Sequence, residues 1–393
     1  MQTILIFGVN GQDGSYLAEL CLERGNRVVG VIRRSSSNTQ SRINSFIYKE
    51  NFILEEGDIT DTTSVSEIIR RYKPDEIYNT AAQSHVATSF SQPSYTFNVN
   101  CIGVLNILEA IRLISPGSKF IQSSTSEMFG DNISCDFDIR GCCVRYDGEL
   151  AKAKGIYTER FGVNVSFPEN NSEGIFQDEL TPFNPQSPYA IAKAAAFNLV
   201  KLYRKSYGLF VANAIMFNHE SPRRGEQFVT RKITKWIGQY KRSVRPHNPN
   251  SNFKKSYVDM DLHNFIYPFP MLEGDRGFPK LKLGNISTYR DWGHARDSCR
   301  AEMMILSHSK PDDFVVSTGK TNSVEDFLHE AFRVAQLGDW RHYVVIDKSL
   351  FRPSEVPYLL GRSDKIRGEL GWGPEIDFRG LVKEMVEHDI QTA

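Results

Sequence analysis

The sequence predicts an α/β fold, a doubly wound parallel sheet with a smaller, interleaved C-terminal lobe. Three observations carry this. Short apolar runs alternate with amphipathic stretches through the first half of the chain, the pattern of strands joined by crossover helices. The first run ends on Gly8-Val9-Asn10-Gly11-Gln12-Asp13-Gly14, a glycine-spaced turn that opens directly into a helical segment. At 393 residues the chain is long enough for two lobes rather than one.

Composition narrows the function classes. Lys+Arg and Asp+Glu both number 47, so no basic field calls for nucleic acid or an anionic membrane. The N-terminus lacks a basic leader and reads as a strand, and no apolar run approaches the roughly 18 residues of a membrane span. Six scattered cysteines give no disulfide framework. Cys135, Cys142 and Cys143 cluster, but without a fourth ligand nearby free thiols are expected and no metal site. The expectation is a soluble cytoplasmic protein.

In chain order, Thr3–Phe7 is the first strand and Ser15–Arg24 the first amphipathic segment. Gly8, Gly11 and Gly14, with Gln12 and Asp13 between them, would let the backbone approach a pyrophosphate at the helix N-terminus, where N–H groups and the dipole favour anions. Arg27–Ile32 completes a βαβ unit, so a purely structural turn is the weaker reading. That strand ends in Arg33-Arg34-Ser35-Ser36-Ser37 rather than in a carboxylate. An acid there would bind a ribose 2′-hydroxyl; arginines and hydroxyls suit a 2′-phosphate, so NADP is the expected cofactor. The alternative is a solvated basic loop.

Phe52–Leu54 reads as the third strand, with Asp58 and Ile59 beyond it in position to flank an adenine. A helix from Asp61 to Tyr72 stops at Pro74, and Glu76–Asn79 is the fourth strand. It opens into Thr80-Ala81-Ala82-Gln83-Ser84-His85, where Ala82, Gln83 and Ser84 would leave room for the cofactor's ribose and nicotinamide. A helix over Asn98–Leu113 precedes the strand Lys119–Ser123. There follows Ser124-Thr125-Ser126-Glu127, hydroxyls and a carboxylate that read either as an acid/base set or as a helix cap. Finally, Tyr189 and Lys193 stand four apart at the start of a helix predicted over Tyr189–Tyr203, on one face of it. An ammonium held close would lower the phenol pKa and let Tyr189 take a proton from a substrate hydroxyl. Alone, such a pair is more often a surface contact.

The motifs together resemble the nucleotide-sugar 4,6-dehydratases of the extended short-chain dehydrogenase/reductase class, most closely their GDP-mannose branch. They include GVNGQDGSYLAE at Gly8–Glu19, AQSHV at Ala82–Val86, STSEMFG at Ser124–Gly130, SPYAIAK at Ser187–Lys193, FNHESPRRG at Phe217–Gly225, FVTRKI at Phe228–Ile233, RDWGH at Arg290–His294 and FRPSEV at Phe351–Val356. The resemblance implies Thr125, Glu127, Tyr189 and Lys193 as catalytic residues, Lys193 also holding the nicotinamide ribose. It adds Tyr95, His219 and Arg224 to the cofactor site. Ser84, Asn218, Val229, Lys232, Arg290, Arg352 and Glu355 would face the nucleotide sugar, and GDP-mannose is the implied substrate. It further implies a Rossmann-type domain over residues 1–240, a substrate lobe mainly over 241–393, and a homodimer or homotetramer.

Two expansions depart from the pattern: roughly 40 residues between Gly130 and Glu179, with a helix-like stretch at 149–154, and about 30 around 245–280. The first would roof the sugar pocket, and the second lies where the base is expected. An epimerase on the same scaffold needs the Tyr–Lys pair but no second base, so Glu127 argues against it. A non-catalytic binder of NADP and nucleotide sugar is the other rival, and the intact Thr125, Glu127, Tyr189 and Lys193 count against that.

Overall fold

The computed structural model describes residues 1–35, 40–135, 144–145, 175–244 and 278–393. Ser36, Ser37, the stretch at 149–154, Cys142 and Cys143 lie outside them, as does nearly all of the second expansion.

The first half builds β1 (Thr3–Phe7), α1 (Gln12–Glu23), β2 (Arg27–Ile32), β3 (Phe52–Glu56), α2 (Thr62–Tyr72), β4 (Glu76–Asn79), α3 (Val86–Ser91), α4 (Pro93–Phe97), α5 (Gly103–Ile114) and β5 (Lys119–Thr125). Three short strands follow at the base of the first expansion: β6 (Asn132–Cys135), β7 (Val144–Arg145) and β8 (Ile175–Phe176). Next come α6 (Pro188–Tyr207), β9 (Val211–Met216), β10 (His219–Glu220) and α7 (Val229–Ser243). The last part adds β11 (Leu281–Leu283), β12 (Tyr289–Arg290), β13 (Gly293–His294), α8 (Ala295–Ser307), β14 (Asp313–Val316) and β15 (Asn322–Ser323). It closes with α9 (Val324–Ala335), β16 (Val344–Ile346), α10 (Asp364–Leu370) and α11 (Phe378–Thr392).

Seven parallel strands form the central sheet in the order β14-β9-β5-β4-β1-β2-β3. The strands are covered on both faces, which is why β1 and β9 are apolar almost throughout instead of alternating. One face packs on α1 and α8 through Leu17, Cys21, Cys299 and Met303; the other packs on α2, α5 and α6 through Ile69, Ile107, Ile111 and Val200. The strand order reverses between β1 and β4, so the crevice for ligands opens at their carboxyl ends. The seventh strand, β14, comes from beyond residue 300 and returns to the sheet after the chain has visited the second lobe.

That lobe has its own core, in which α7, α9 and α11 enclose Trp236, Trp292, Phe327 and Phe332. Arg231 on α7 and Asp389 on α11 form a buried ion pair that Thr234 also joins, fixing the two helices against each other. Gln177, fully buried beside β8, bonds to Leu360 and Arg362 and so ties the base of the first expansion to the segment just beyond Arg352 and Glu355.

Local chemistry accounts for the element ends. Asp61 caps α2 by accepting from the backbone of Thr63 and Ser64, and Ser187 caps α6 with Pro188 in its first turn. Helix α6 runs to Tyr207, one turn past the predicted end, because Gly208 closes it in the left-handed conformation. Pro93–Ile114 is one continuous helical run of 22 residues with an 18-residue window of mean hydropathy 1.4, although Asn98, Asn100, Asn106, Glu109 and Arg112 keep it from being an unbroken apolar run. Its apolar side chains Val99, Val104, Ile107, Leu108 and Ile111 pack into the core under the sheet, which is why so many are apolar.

Gly130 connects the site strand to the first expansion at φ +59°, and a Cβ there would stand 1.9 Å from the Asn184 carbonyl oxygen. Gly130→Ala is therefore expected to cost about 1–3 kcal/mol or more. Urea denaturation of the variant beside wild type measures it; an unchanged midpoint would refute the constraint.

Candidate active site

The carboxyl ends of β1 and β4 meet at Gly8. Its φ is +84°, and a Cβ on it would approach the Ala81 amide nitrogen to 2.8 Å. At Gly14 a Cβ would reach the Gly8 carbonyl at 2.3 Å, so α1 sits directly on the turn. This is a cradle only glycine can line, with a helix N-terminus at its rim, and it fits the pyrophosphate of a dinucleotide.

Behind the cradle is a closed polar network. Ser221 Oγ donates to Gln12 Oε1 at 2.9 Å, and Gln12 Nε2 donates to the His219 carbonyl at 3.1 Å. The His219 ring faces an acceptor on each side: Nδ1 lies 2.7 Å from the Phe217 carbonyl and Nε2 lies 3.1 Å from Asp13 Oδ2. Both nitrogens can donate only in the imidazolium. Accordingly the His219 pKa is raised, burial notwithstanding, and Asp13, though also buried, falls to about 2 against His219. The Asp13 carboxylate is thus turned inward and does not oppose an anion at the helix end. Arg224 lies over the Phe228 ring at 3.8 Å, its Nε 3.1 Å from Glu220.

The remaining cofactor candidates line the same edge. Arg33 Nη1 donates to the Tyr95 hydroxyl at 2.6 Å, and Arg34 is exposed beside it. Asp58 accepts from the Thr60 amide and hydroxyl within its own turn, while Ile59 is buried beneath α5. Asn100 accepts from the Gln83 amide and donates to its carbonyl, both at 2.9 Å, and so holds the Ala82–Ser84 segment from below. Asn100 lies in a π-helical turn, Asn98–Ile102, where the sequence predicts plain α-helix. No local pattern marks it. His85, a member of the AQSHV motif that could have been singled out, stacks edge-on against Phe228 at 5.7 Å, and Arg352 and Arg224 are close enough to help depress its pKa below that of burial alone.

At the next strand end, Thr125, Glu127, Tyr189 and Lys193 come together. Thr125 caps the short 3₁₀ turn Ser126–Met128 by accepting from the Glu127 amide at 3.3 Å, and its hydroxyl is near enough to the Tyr189 phenol to favour the phenolate. The cap reading of Ser124–Glu127 is therefore met, at Thr125. The expected lowering of the Tyr189 pKa is not. Burial pushes the phenol up to about 12, with the nearby Thr125 hydroxyl opposing it. Lys193 does lie on the same helical face, but its ammonium donates to the Ser123 carbonyl at 2.7 Å, 6.0 Å from the centre of the Tyr189 ring. A strand carbonyl thus claims the charge that helical spacing alone aims at the phenol.

Across from these groups, the C-terminal lobe contributes Arg290, Arg352 and Glu355. Glu355 Oε1 is shared by Arg290 Nη2 at 3.0 Å and Arg352 Nη1 at 3.4 Å, and Arg352 Nη1 is also 3.7 Å from Glu127. Each guanidinium keeps further donors for a phosphate. Asn218 is half-buried and receives the Gly293 amide on its carbonyl at 2.8 Å. Burial lowers the Lys232 pKa, with Asp347 opposing. Val229 leans into the core of the second lobe, and Ser84 is exposed at the rim.

The GDP-mannose 4,6 dehydratase family model matches residues 5–138, 170–256 and 271–385. The chain belongs to the GDP-mannose 4,6-dehydratase family. The stretches left unmatched, 139–169 and 257–270, fall inside the two expansions. A GDP-mannose 4,6-dehydratase of Yersinia enterocolitica is 36% identical, the alignment covering 100% of this chain and 95% of that protein. GDP-mannose 4,6 dehydratase 2 of Arabidopsis thaliana is 39% identical over 99% of this chain and 87% of its own length. Among solved structures, the dTDP-glucose 4,6-dehydratase of Streptomyces venezuelae superposes with a TM-score of 0.71 at 18% identity, covering 98% of this chain and 96% of that one. The UDP-glucose 4-epimerase of Thermotoga maritima gives 0.71 at 21%, covering 99% of each. The extended short-chain dehydrogenase fold is therefore common to dehydratases and epimerases, and the family is decided by sequence.

The Asp13–His219 pair makes stability pH-dependent. A raised His219 pKa contributes fully below its ordinary 6.5 and fades as pH rises through the raised value; a depressed Asp13 contributes fully above its ordinary 3.8 and fades as pH falls through about 2. His219→Gln should cost on the order of 1–2 kcal/mol between about pH 4 and 6.5 and less above pH 8. Thermal melts of both proteins across pH test this; a pH-independent difference would count against the ion pair.

Proposed function

We propose that this chain converts GDP-mannose to GDP-4-keto-6-deoxymannose with NADP, as a hydro-lyase. The observation that carries the reading is Glu127 standing beside the Thr125–Tyr189–Lys193 group, because a carboxylate in addition to the tyrosine is what elimination needs and simple oxidation does not.

The glycine cradle at Gly8–Gly14 would hold the dinucleotide, with Arg33 and Tyr95 at its adenosine end. A bound nicotinamide supplies the acceptor, and later the donor, of one hydride. Tyr189 takes the sugar O4 proton. Its phenolate has the Lys193 ammonium as the nearby cation and the Thr125 hydroxyl beside it to favour the charge. With a ketone at C4, the C5 hydrogen is acidic. Glu127 removes it and returns it to the departing C6 hydroxyl, which leaves as water; C6 then receives the hydride and C5 a proton from solvent. Arg352, 3.7 Å from Glu127, orients that carboxylate and with Arg290 is placed to receive the diphosphate.

A deuterium at C4 should reappear at C6 of the product, and C5 should take up solvent deuterium in D₂O. Product NMR with a mass measurement of the lost water decides it. Label returned to C4 would mean an epimerase, and untouched sugar a binder. Tyr189→Phe should abolish oxidation, whereas Glu127→Gln should slow elimination about a hundredfold or more and let reduced cofactor absorbance build up.

The absence of an acid at the end of β2, with Arg33 and Arg34 in its place, supports NADP over NAD. Isothermal titration should show tighter NADP binding, narrowed or inverted by Arg33→Asp; equal affinities in wild type would reject the assignment. The exposed apolar strip of Tyr95, Phe97 and Ile102 beside Ile191 supports a homo-oligomer in which a second copy covers it.

A further inference from the structure

Beneath the Tyr–Lys pair lies a carboxyl group that the reaction above does not use. Glu302 is fully buried on α8, which packs against β5 and β9. Its Oε1 accepts from the Ser123 hydroxyl at 2.6 Å, and Ser123 is the residue whose carbonyl receives the Lys193 ammonium at 2.7 Å. Its Oε2 has no hydrogen-bond partner. An acid in such a place is costly to ionise unless a cation stands near, and hydrophobic packing would serve the core better. We propose that Glu302 is a positioning residue for Lys193: through Ser123 it fixes the strand carbonyl on which the ammonium docks, and its carboxyl is the reserve counter-charge that keeps that ammonium protonated as pH rises.

The surroundings agree. The charged and titratable groups facing Glu302 are Asp13 on α1, His219 on β10, Lys193 on α6, Tyr78 on β4 and Cys299 on its own helix. Of the other elements packed on α8, β13 brings His294, engaged with Glu384, and β14 brings Asp313, engaged with Arg204. Asp13 is already neutralised by His219, which leaves Lys193 as the cation without a carboxylate of its own. Burial raises Glu302 to about 8, with the Ser123 bond opposing it, and burial lowers Lys193 to about 8, with Glu302 opposing that. When Glu302 loses its proton on the alkaline side, the charge it leaves favours the proton on Lys193.

The inference rests on the Tyr–Lys reading of the site, and its test keeps the two apart. The pH dependence of kcat from pH 6 to 10 is measured with GDP-mannose for wild type, Glu302→Gln, Ser123→Ala and Tyr189→Phe. Glutamine keeps an acceptor for Ser123 but can never become anionic. The alkaline limb of Glu302→Gln should move to lower pH by about one unit, an approximately tenfold larger loss at pH 9 relative to its own value at pH 7. Ser123→Ala removes the bond that eases Glu302 ionisation, so its limb should move in the same direction by less, and it stands in if Glu302→Gln does not fold. Normalised profiles that superimpose on wild type would overturn the inference while leaving the Tyr–Lys reading intact. Turnover by Tyr189→Phe at the wild-type rate would overturn the reading itself.

Discussion

Everything in this protein depends on how closely β1 and β4 approach where the strand order reverses. A single side-chain carbon at Gly8 would collide with Ala81, and one at Gly14 with the Gly8 carbonyl. Because the backbone closes so tightly there, the N-terminus of α1 and the Ala82–Ser84 segment reach the same crevice. Asn100 can then clamp Gln83 from the π-helical turn. The next two strand ends, β5 and β9, inherit the same edge and bring Thr125 and the Asn218–His219 segment to it.

The site is rich in buried charge, and each charge has been given a partner. Asp13 is matched by His219, and Glu355 by two arginines from segments more than 60 residues apart. Lys193 has a carbonyl for its proton and Glu302 for its charge. Such pairs contribute little net stability because desolvation offsets their attraction. Their value is orientation: each leaves a defined set of donors pointing at the crevice, without a reorganisation when a ligand arrives.

Much of this was legible in the residues. The βαβ opening and the Tyr189–Lys193 spacing on one helical face are local patterns, and the structure has them where the sequence puts them. The misses are a few local details and, more often, relations across the chain. At Asn98–Ile102 the sequence predicts α-helix where the chain makes a π turn, because hydrophobic periodicity cannot resolve a single wider turn.

By itself the sequence determined the strand-turn-helix order, the motif residues and hence the family, since these rest on contacts within a few residues of one another and on motif spacing. Only the tertiary structure decided where the charges go. Spacing put Lys193 beside Tyr189, but the carbonyl of Ser123, 70 residues earlier, took the ammonium, and burial raised the phenol instead of lowering it. Glu302, nearly 180 residues from Ser123, carries no motif and reads as one more acid in an amphipathic helix. A pKa is set by what folding buries and what it brings within a few ångströms, and neither is written in the order of residues.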